Sequence, residues 1–269
     1  MTTRVGTVGA LWRYPVKSML GEELPVAEIT GRGLAGDRTH ALLDTETGKV
    51  ASAKNPRLWR NLLTLSASAT SDGGIRITGP DGSELSHDDL SRAVGRAVVL
   101  ATEPPSKASI DRANPDEVLD EGVDAEVGLH AIDLPPGTFF DYSPLHLLTT
   151  ATLDRIGELS PRGSVEVQRY RPNLVISTPE KGFVENAWIG RELTIGPHLR
   201  LKVAVPTPRC AIPTLAHGRL PRDPDALRVP AQHNRLEPLP GMGLYPCAGV
   251  HAEVLVPGRI TKGDPVLLE

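Results

Sequence analysis

Apolar positions along this chain come in short runs rather than long stripes. Val5 to Trp12 is a continuous β-prone run, and Leu24 to Ile29 alternates weakly. Ile75-Arg76-Ile77-Thr78 is a short strand held between Asp72-Gly73-Gly74 and Gly79-Pro80-Asp81-Gly82. Ala41-Leu42-Leu43 meets the turn sequence Asp44-Thr45-Glu46-Thr47-Gly48, which predicts a hairpin returning through Lys49-Val50-Ala51. Helical spacing occurs in two places. Ser86-His87-Asp88-Asp89 has the form of a capping box and leads into Leu90, Ala93, Val94 and Ala97. Thr150 can cap a second helix, in which Leu153, Ile156 and Leu159 share a face. Between the two, residues 103–137 are acidic, proline-bearing and weakly periodic, which predicts a connector and a domain boundary near residue 120. After the second helix strands resume at Leu174–Ile176, Leu193–Ile195, Leu199–Val205, Val250–Val256 and Pro265–Leu268. The pattern predicts a mainly β, α+β chain: barrels with a few helices, divided at 1–120 and 121–269, rather than alternating βα units.

Composition fits that picture. The 26 glycines and 25 prolines suit many strands joined by turns. A formal net charge of −4 gives the whole molecule no attraction for nucleic acid. No run of about 18 apolar residues predicts a membrane span, and the N-terminus lacks the apolar segment of a signal peptide. Cys210 and Cys247, the two cysteines, make no disulfide framework, and a cytoplasmic location is expected.

Familiar motifs are excluded. Gly31-Arg32-Gly33-Leu34-Ala35-Gly36 matches G-x-G-x-x-G in letters, but a dinucleotide site needs that loop to open a helix, and a strand-like run follows. The eight histidines show no paired ligand spacing and read as surface or packing residues. Two cysteines cannot hold an ordinary iron–sulfur cluster.

Two segments carry candidate chemistry. In Pro206-Thr207-Pro208-Arg209-Cys210 a thiol stands beside a guanidinium, on a backbone stiffened by prolines. Thiolates attack electrophiles and bind soft metals. Far away in sequence, Lys17 and Ser18 follow Tyr14-Pro15-Val16, and Arg38 follows Gly36-Asp37. Lys, Ser and Arg all suit a phosphate, and Arg171 and Asn173 add a guanidinium fork and an amide. Singly, these residues read equally as ion pairs and turn hydrogen bonds. Cys247 has no flanking charge and reads as a packed thiol.

Together the motifs resemble a known family. Trp12-Arg13-Tyr14-Pro15-Val16-Lys17-Ser18 and Gly33-Leu34-Ala35-Gly36-Asp37-Arg38 resemble the N-terminal β-barrel domain that precedes MOSC domains. Tyr170–Ile176, Pro206–Cys210 and the closing Val256–Val266 resemble the MOSC domain, the C-terminal domain of molybdenum-cofactor sulfurases. The resemblance implies an N-terminal β-barrel-like domain packed on a MOSC β-barrel domain. Within the family it resembles the amidoxime-reducing component and its bacterial relatives, which implies the molybdopterin form of the molybdenum cofactor. By the same resemblance Cys210 is the metal ligand, and Lys17, Ser18, Arg38, Thr149, Arg171, Asn173 and Arg209 are cofactor contacts. Asp141, in Asp141-Tyr142-Ser143-Pro144, is the candidate proton donor by its nearness to the matched loop. Pro208 stands where a relative has Ser, which removes a hydroxyl and an N–H.

The activity implied is two-electron reduction of N-hydroxylated or N-oxide small molecules, with oxygen abstracted at the Cys-ligated molybdenum. No flavin or iron–sulfur segment is evident, so a separate electron-transfer protein is expected. Two alternatives keep the scaffold: a sulfur or cofactor carrier using a Cys210 persulfide, and a biosynthetic enzyme without molybdenum.

Overall fold

The computed structural model describes residues 2–269. Its organising element is a closed barrel of seven strands: β1 (Thr3–Arg13), β2 (Leu145–Thr149), β3 (Leu174–Ser177), β4 (Glu192–Ile195), β5 (Leu199–Pro208), β6 (Tyr245–Val256) and β7 (Pro265–Leu268). They hydrogen-bond in the order β2-β3-β1-β7-β4-β5-β6, and β6 pairs back onto β2. Closure leaves the ring without a free edge. β2 and β3 are the parallel pair, and parallel neighbours need a crossover. The helix Thr150–Leu159 supplies it.

Side-chain pattern explains the closure. Val8, Leu11, Leu147, Ile176, Leu193, Leu201, Val203, Val250 and Val266 fill the interior. In β1 the register shifts between Val8 and Ala10, so the inward positions run Val5, Val8, Leu11 instead of alternating strictly. Gly6 permits β1 to approach β3, because a Cβ there would lie 2.1 Å from the Ser177 carbonyl oxygen.

β1 sits in a ring whose other strands all lie beyond residue 144, so the chain starts in the barrel, leaves it and returns. In the excursion, Ala41–Asp44 pairs with Val98–Ala101, Ser66–Ala69 with Ile75–Thr78, and Ser109–Ala113 with Leu129–Asp133. This half has its own core, with Met19, Leu42, Trp59, Leu62, Leu65, Leu90 and Val94. Gly258–Thr261 leaves the late part of the chain to pair with Val26–Thr30.

The helix His87–Val94 carries the capping box read from the sequence. The Asp89 N–H donates to Ser86 Oγ, the Ser86 N–H donates to Asp89 Oδ2, and Gly95 closes the helix in the left-handed region. Three expectations are corrected. The turn at 44–48 forms, but the ladder partner of Ala41–Asp44 is the distant Val98–Ala101, with a single bridge from Leu43 to Val50. The 103–137 connector contains a hairpin and the helix Pro115–Glu121. The helix at 150 is capped by Thr149, whose hydroxyl accepts from the Thr152 N–H, rather than by Thr150. No helix among the described residues is long and apolar enough to cross a membrane.

Candidate functional site

A cavity of about 270 Å³ opens between the barrel and the N-terminal half, and it gathers the distant segments. The chain leaves β1 into Tyr14–Ser18, which lies against residues 38–40. The Arg38 N–H donates to the Tyr14 carbonyl, and the Lys17 N–H to the His40 carbonyl. Asp37 pins the corner: its Oδ1 accepts the Tyr14 N–H at 2.7 Å, and its Oδ2 pairs with the Arg38 guanidinium. From the barrel side, the segment before β3 brings Arg171 and Asn173, and the end of β5 brings Thr207, Pro208, Arg209 and Cys210.

Three non-glycine residues in the described chain have positive φ: Ser18 at 63°, Arg38 at 48° and Arg171 at 55°. All three line this cavity. Left-handed backbone costs an ordinary residue about 1–3 kcal/mol, and such strain concentrates where side chains must be aimed at a ligand.

The cavity is cationic in an acidic protein. Lys17, Arg38, Lys54, Arg112, Arg171 and Arg209 line it, against one lining carboxylate, Asp141. Lys17 Nζ donates to Asp141 Oδ1 at 2.6 Å and to the Phe139 carbonyl at 2.7 Å, and Lys54 Nζ lies 3.0 Å from Asp141 Oδ2. Burial pulls Lys17 down to about 8 against the opposing pull of Asp141. Burial alone would raise Asp141, but the Lys17 and Lys54 charges outweigh it and hold the carboxyl well below its usual range. Burial lowers Arg171 to about 10, with Arg38 adding to the shift. The Arg171 and Arg38 guanidiniums lie over the Tyr14 ring, 4.3 and 5.0 Å from its centroid.

Several buried donors are left over. Arg171 Nη1 donates to the Met19 carbonyl at 2.6 Å and Arg209 Nη2 to the Tyr170 carbonyl at 2.9 Å. Arg171 Nη2, Arg209 Nε and the Thr207 hydroxyl have no protein partner. An unmatched buried polar group costs about 1–3 kcal/mol. The wall is therefore arranged for a ligand rich in acceptors. Cys210 completes it as a free thiol, and Cys247 is a separate free thiol whose burial raises it to about 11.

Residues 5–114 match the MOSC N-terminal beta barrel domain, and residues 135–267 match the MOSC domain. The chain belongs to the MOSC-domain family. The N-terminal match includes β1, so a strand counted with the N-terminal domain is built into the barrel of the MOSC domain. The human mitochondrial amidoxime-reducing component 1 is 27% identical, over 98% of this chain and 83% of its own length. Rat mitochondrial amidoxime reducing component 2 is 26% identical over the same shares. Among solved structures, the YUAD protein from Bacillus subtilis covers 100% of this chain and 98% of its own, at 10% identity and a TM-score of 0.44.

In this MOSC protein, Lys17, Ser18, Arg38, Asp141, Arg171, Asn173, Arg209 and Cys210 line one cavity. Thr149 does not. It is fully buried as the helix cap, and its hydroxyl donates to Glu185 Oε2 at 2.7 Å. Asn173 lines the wall but spends its amide on the protein: Oδ1 accepts from the His146 N–H, and Nδ2 donates to the Trp12 carbonyl. Asp141 is clamped as an acceptor between two lysines, which is the wrong state for a proton donor. Sequence reasoning missed Lys54, Arg112, Thr207, His146 and His251. Arg112 was hidden because residues 103–137 read as a connector. The two histidines stand opposite one another on β2 and β6, a pairing invisible in their spacing. Burial, with Arg209 adding to it, drives His146 well below its usual value and His251 to about 4, so both rings are neutral at ordinary pH.

Proposed function

We propose that this chain is a molybdenum-cofactor-dependent reductase of N-hydroxylated or N-oxide compounds, with the molybdopterin form in this cavity and Cys210 as the protein's metal ligand. The observation that carries the reading is the convergence of one thiol with Lys17, Arg38, Arg171 and Arg209 around buried donors that lack partners. A phosphate and a polar heterocycle would satisfy those donors, and a thiolate suits a soft metal. The names of the amidoxime-reducing relatives support the reaction class.

The cofactor supplies the two-electron chemistry at the N–O bond; the chain supplies binding, orientation and charge. Lys17, Ser18, Arg38, Arg171 and Arg209 would hold it, Arg171 and Arg209 through the Nη2 and Nε donors left open. The Thr207 hydroxyl, next to Pro208, offers a hydrogen bond where Pro208 has none. Asp141 keeps Lys17 and Lys54 in place. Lys17, lowered to about 8 by burial, is held by Asp141 and the Phe139 carbonyl and serves as a cation for an anionic ligand. Electrons would come from a separate redox protein.

Cys210 is buried beside Ala53, Leu63, Ile212 and Leu215, which disfavours presenting a persulfide to another protein. The test is metal and pterin analysis of protein made in a cofactor-competent host, with reduction of an aryl amidoxime by reduced viologen. Wild type should hold stoichiometric molybdenum and turn over. Cys210→Ser should weaken metal retention by more than about 100-fold. Wild type without molybdenum sinks the reading in favour of the molybdenum-free scaffold. A labile extra sulfur on Cys210 in mass spectrometry would instead favour the carrier. Turnover on a reduced nicotinamide alone would remove the need for a redox partner.

A further inference from the structure

At its mouth the cavity runs against the usual order of protein polarity. Proteins bury apolar side chains and expose charge. Here much of the charged wall is buried, with Lys17 4% exposed, Cys210 6%, Arg209 7% and Arg171 8%, although the Asp141 side chain is 41% exposed. Three apolar lining residues are exposed: Leu239 is 38% exposed, Met242 45% and Tyr142 47%, while Ile212 beside Cys210 is buried. Ile132 and Phe140 line the same cavity and are partly buried. Leu244, the most exposed large apolar residue described, is two positions beyond Met242. Apolar side chains collected at the mouth of a polar cavity mark a contact surface, where single scattered ones would mean nothing.

The mouth is built rather than loose. Leu239 and Met242 sit in the tip of a hairpin whose arms pair Arg235 with Pro246 and Leu236 with Tyr245. Glu237 Oε1 accepts the Gly241 N–H at 2.9 Å and the Gly243 N–H at 3.3 Å, and the Met242 N–H donates to the Leu239 carbonyl at 3.1 Å. Both glycines are left-handed, at φ 84° and 79°, which lets the tip fold back under its own glutamate. Pro238 and Pro240 flank Leu239 and restrict it further. A Met in such a position adapts its shape to different ligands.

We propose that this rim is a subsite for the apolar body of the substrate. The molecules reduced are then N-oxygenated compounds carrying an alkyl or aryl group, and Leu239 and Met242 are the residues that select for it. The inference rests on the reductase reading, because the N–O end of the substrate would face the cofactor that the buried wall holds. Continuity argues for the small-molecule body as the occupant: rim and cationic wall belong to one cavity, so a substrate whose N–O end meets a cofactor held on that wall extends past Leu239 and Met242.

The experiment uses the cofactor-loaded protein and a series of straight-chain amidoximes from acetamidoxime upward. KM should fall about fourfold for each methylene added, until the rim is filled. In Leu239→Ser/Met242→Ser that slope should flatten. In parallel, calorimetry reads the affinity of the corresponding alkyl amidines, which needs no turnover. If no amidoxime is reduced, yet amidine affinity climbs with chain length and the double variant removes the climb, the reductase reading fails and the rim stands. A flat series in wild type overturns the rim. So does a double variant that loses short and long members equally. Pelleting with anionic vesicles that the double variant abolishes, together with a flat series, would assign the rim to a lipid surface and also overturn it.

Discussion

Strand β5 has two ends with opposite chemistry. Leu199, Leu201 and Val203 at its start are fully buried in the barrel, among other aliphatic side chains. Arg209 and Cys210, just past its end, are almost as buried, but on the wall of a cavity lined by cations, unpartnered donors and left-handed backbone. Burial is the same in both regions and its consequences are not. At the barrel end it yields hydrophobic stabilisation of roughly 25 cal/mol per Å². At the cavity end it desolvates charge, lowering Lys17 and Arg171 and leaving donors without partners. The barrel stabilises a framework rigid enough to keep the cavity in a state it would not hold alone.

The comparison can be broken at either end. The largest expected effect is at the barrel. Leu201→Ala should cost about 2–5 kcal/mol, read as a lower denaturant midpoint, while the folded protein keeps its metal content. Loss of metal from still-folded protein would mean the two ends are not separable.

The next effect is electrostatic. Lys17 sits at about 8 in the folded protein against 10.5 for the free side chain. Between those values the unfolded chain binds the extra proton, so stability rises with pH across that window and is flat on either side of it. The rise attributable to Lys17 is up to about 3 kcal/mol. In Lys17→Met it should vanish from a series of denaturant titrations at pH 8 to 10.5; an identical slope in the variant would contradict the burial argument.

The smallest effect is also the sharpest. Arg171→Gly removes a desolvated guanidinium, an unpartnered Nη2 and a left-handed residue that glycine tolerates. It should raise the stability of the ligand-free protein by about 1 kcal/mol while weakening ligand retention at least tenfold. A destabilised variant would mean the Met19 hydrogen bond and the Tyr14 stack outweigh the strain.

The sequence made the barrel readable because its strands are apolar runs ended by glycine, proline or turn residues, and β3 to β7 lie where those runs fall. The N-terminal half was harder. Ala41–Leu43 faced an obvious turn, and nothing local revealed that Val98–Ala101 would take the ladder instead. Leu129–Asp133 is mostly exposed, so it shows no apolar stripe. The site was legible where residue type signals chemistry, at Cys210 and the Lys17/Arg38 segments. Backbone handedness at Ser18, Arg38 and Arg171 was not, because none of these types announces a positive φ. Thr149 misled because one hydroxyl serves as well for a helix cap as for a ligand.

The return of the chain to its own first strand has a consequence during synthesis. Of the barrel strands β1 is made first and its neighbour β7 last, with the start of β7 252 positions beyond the end of β1. At about 5–20 residues per second, β1 waits on the order of ten to fifty seconds for that partner. Until then the unfinished ring offers open strand edges to any neighbouring nascent chain. Nor can the two halves be produced as separate pieces by cutting near residue 120, because the later piece would lack a stave.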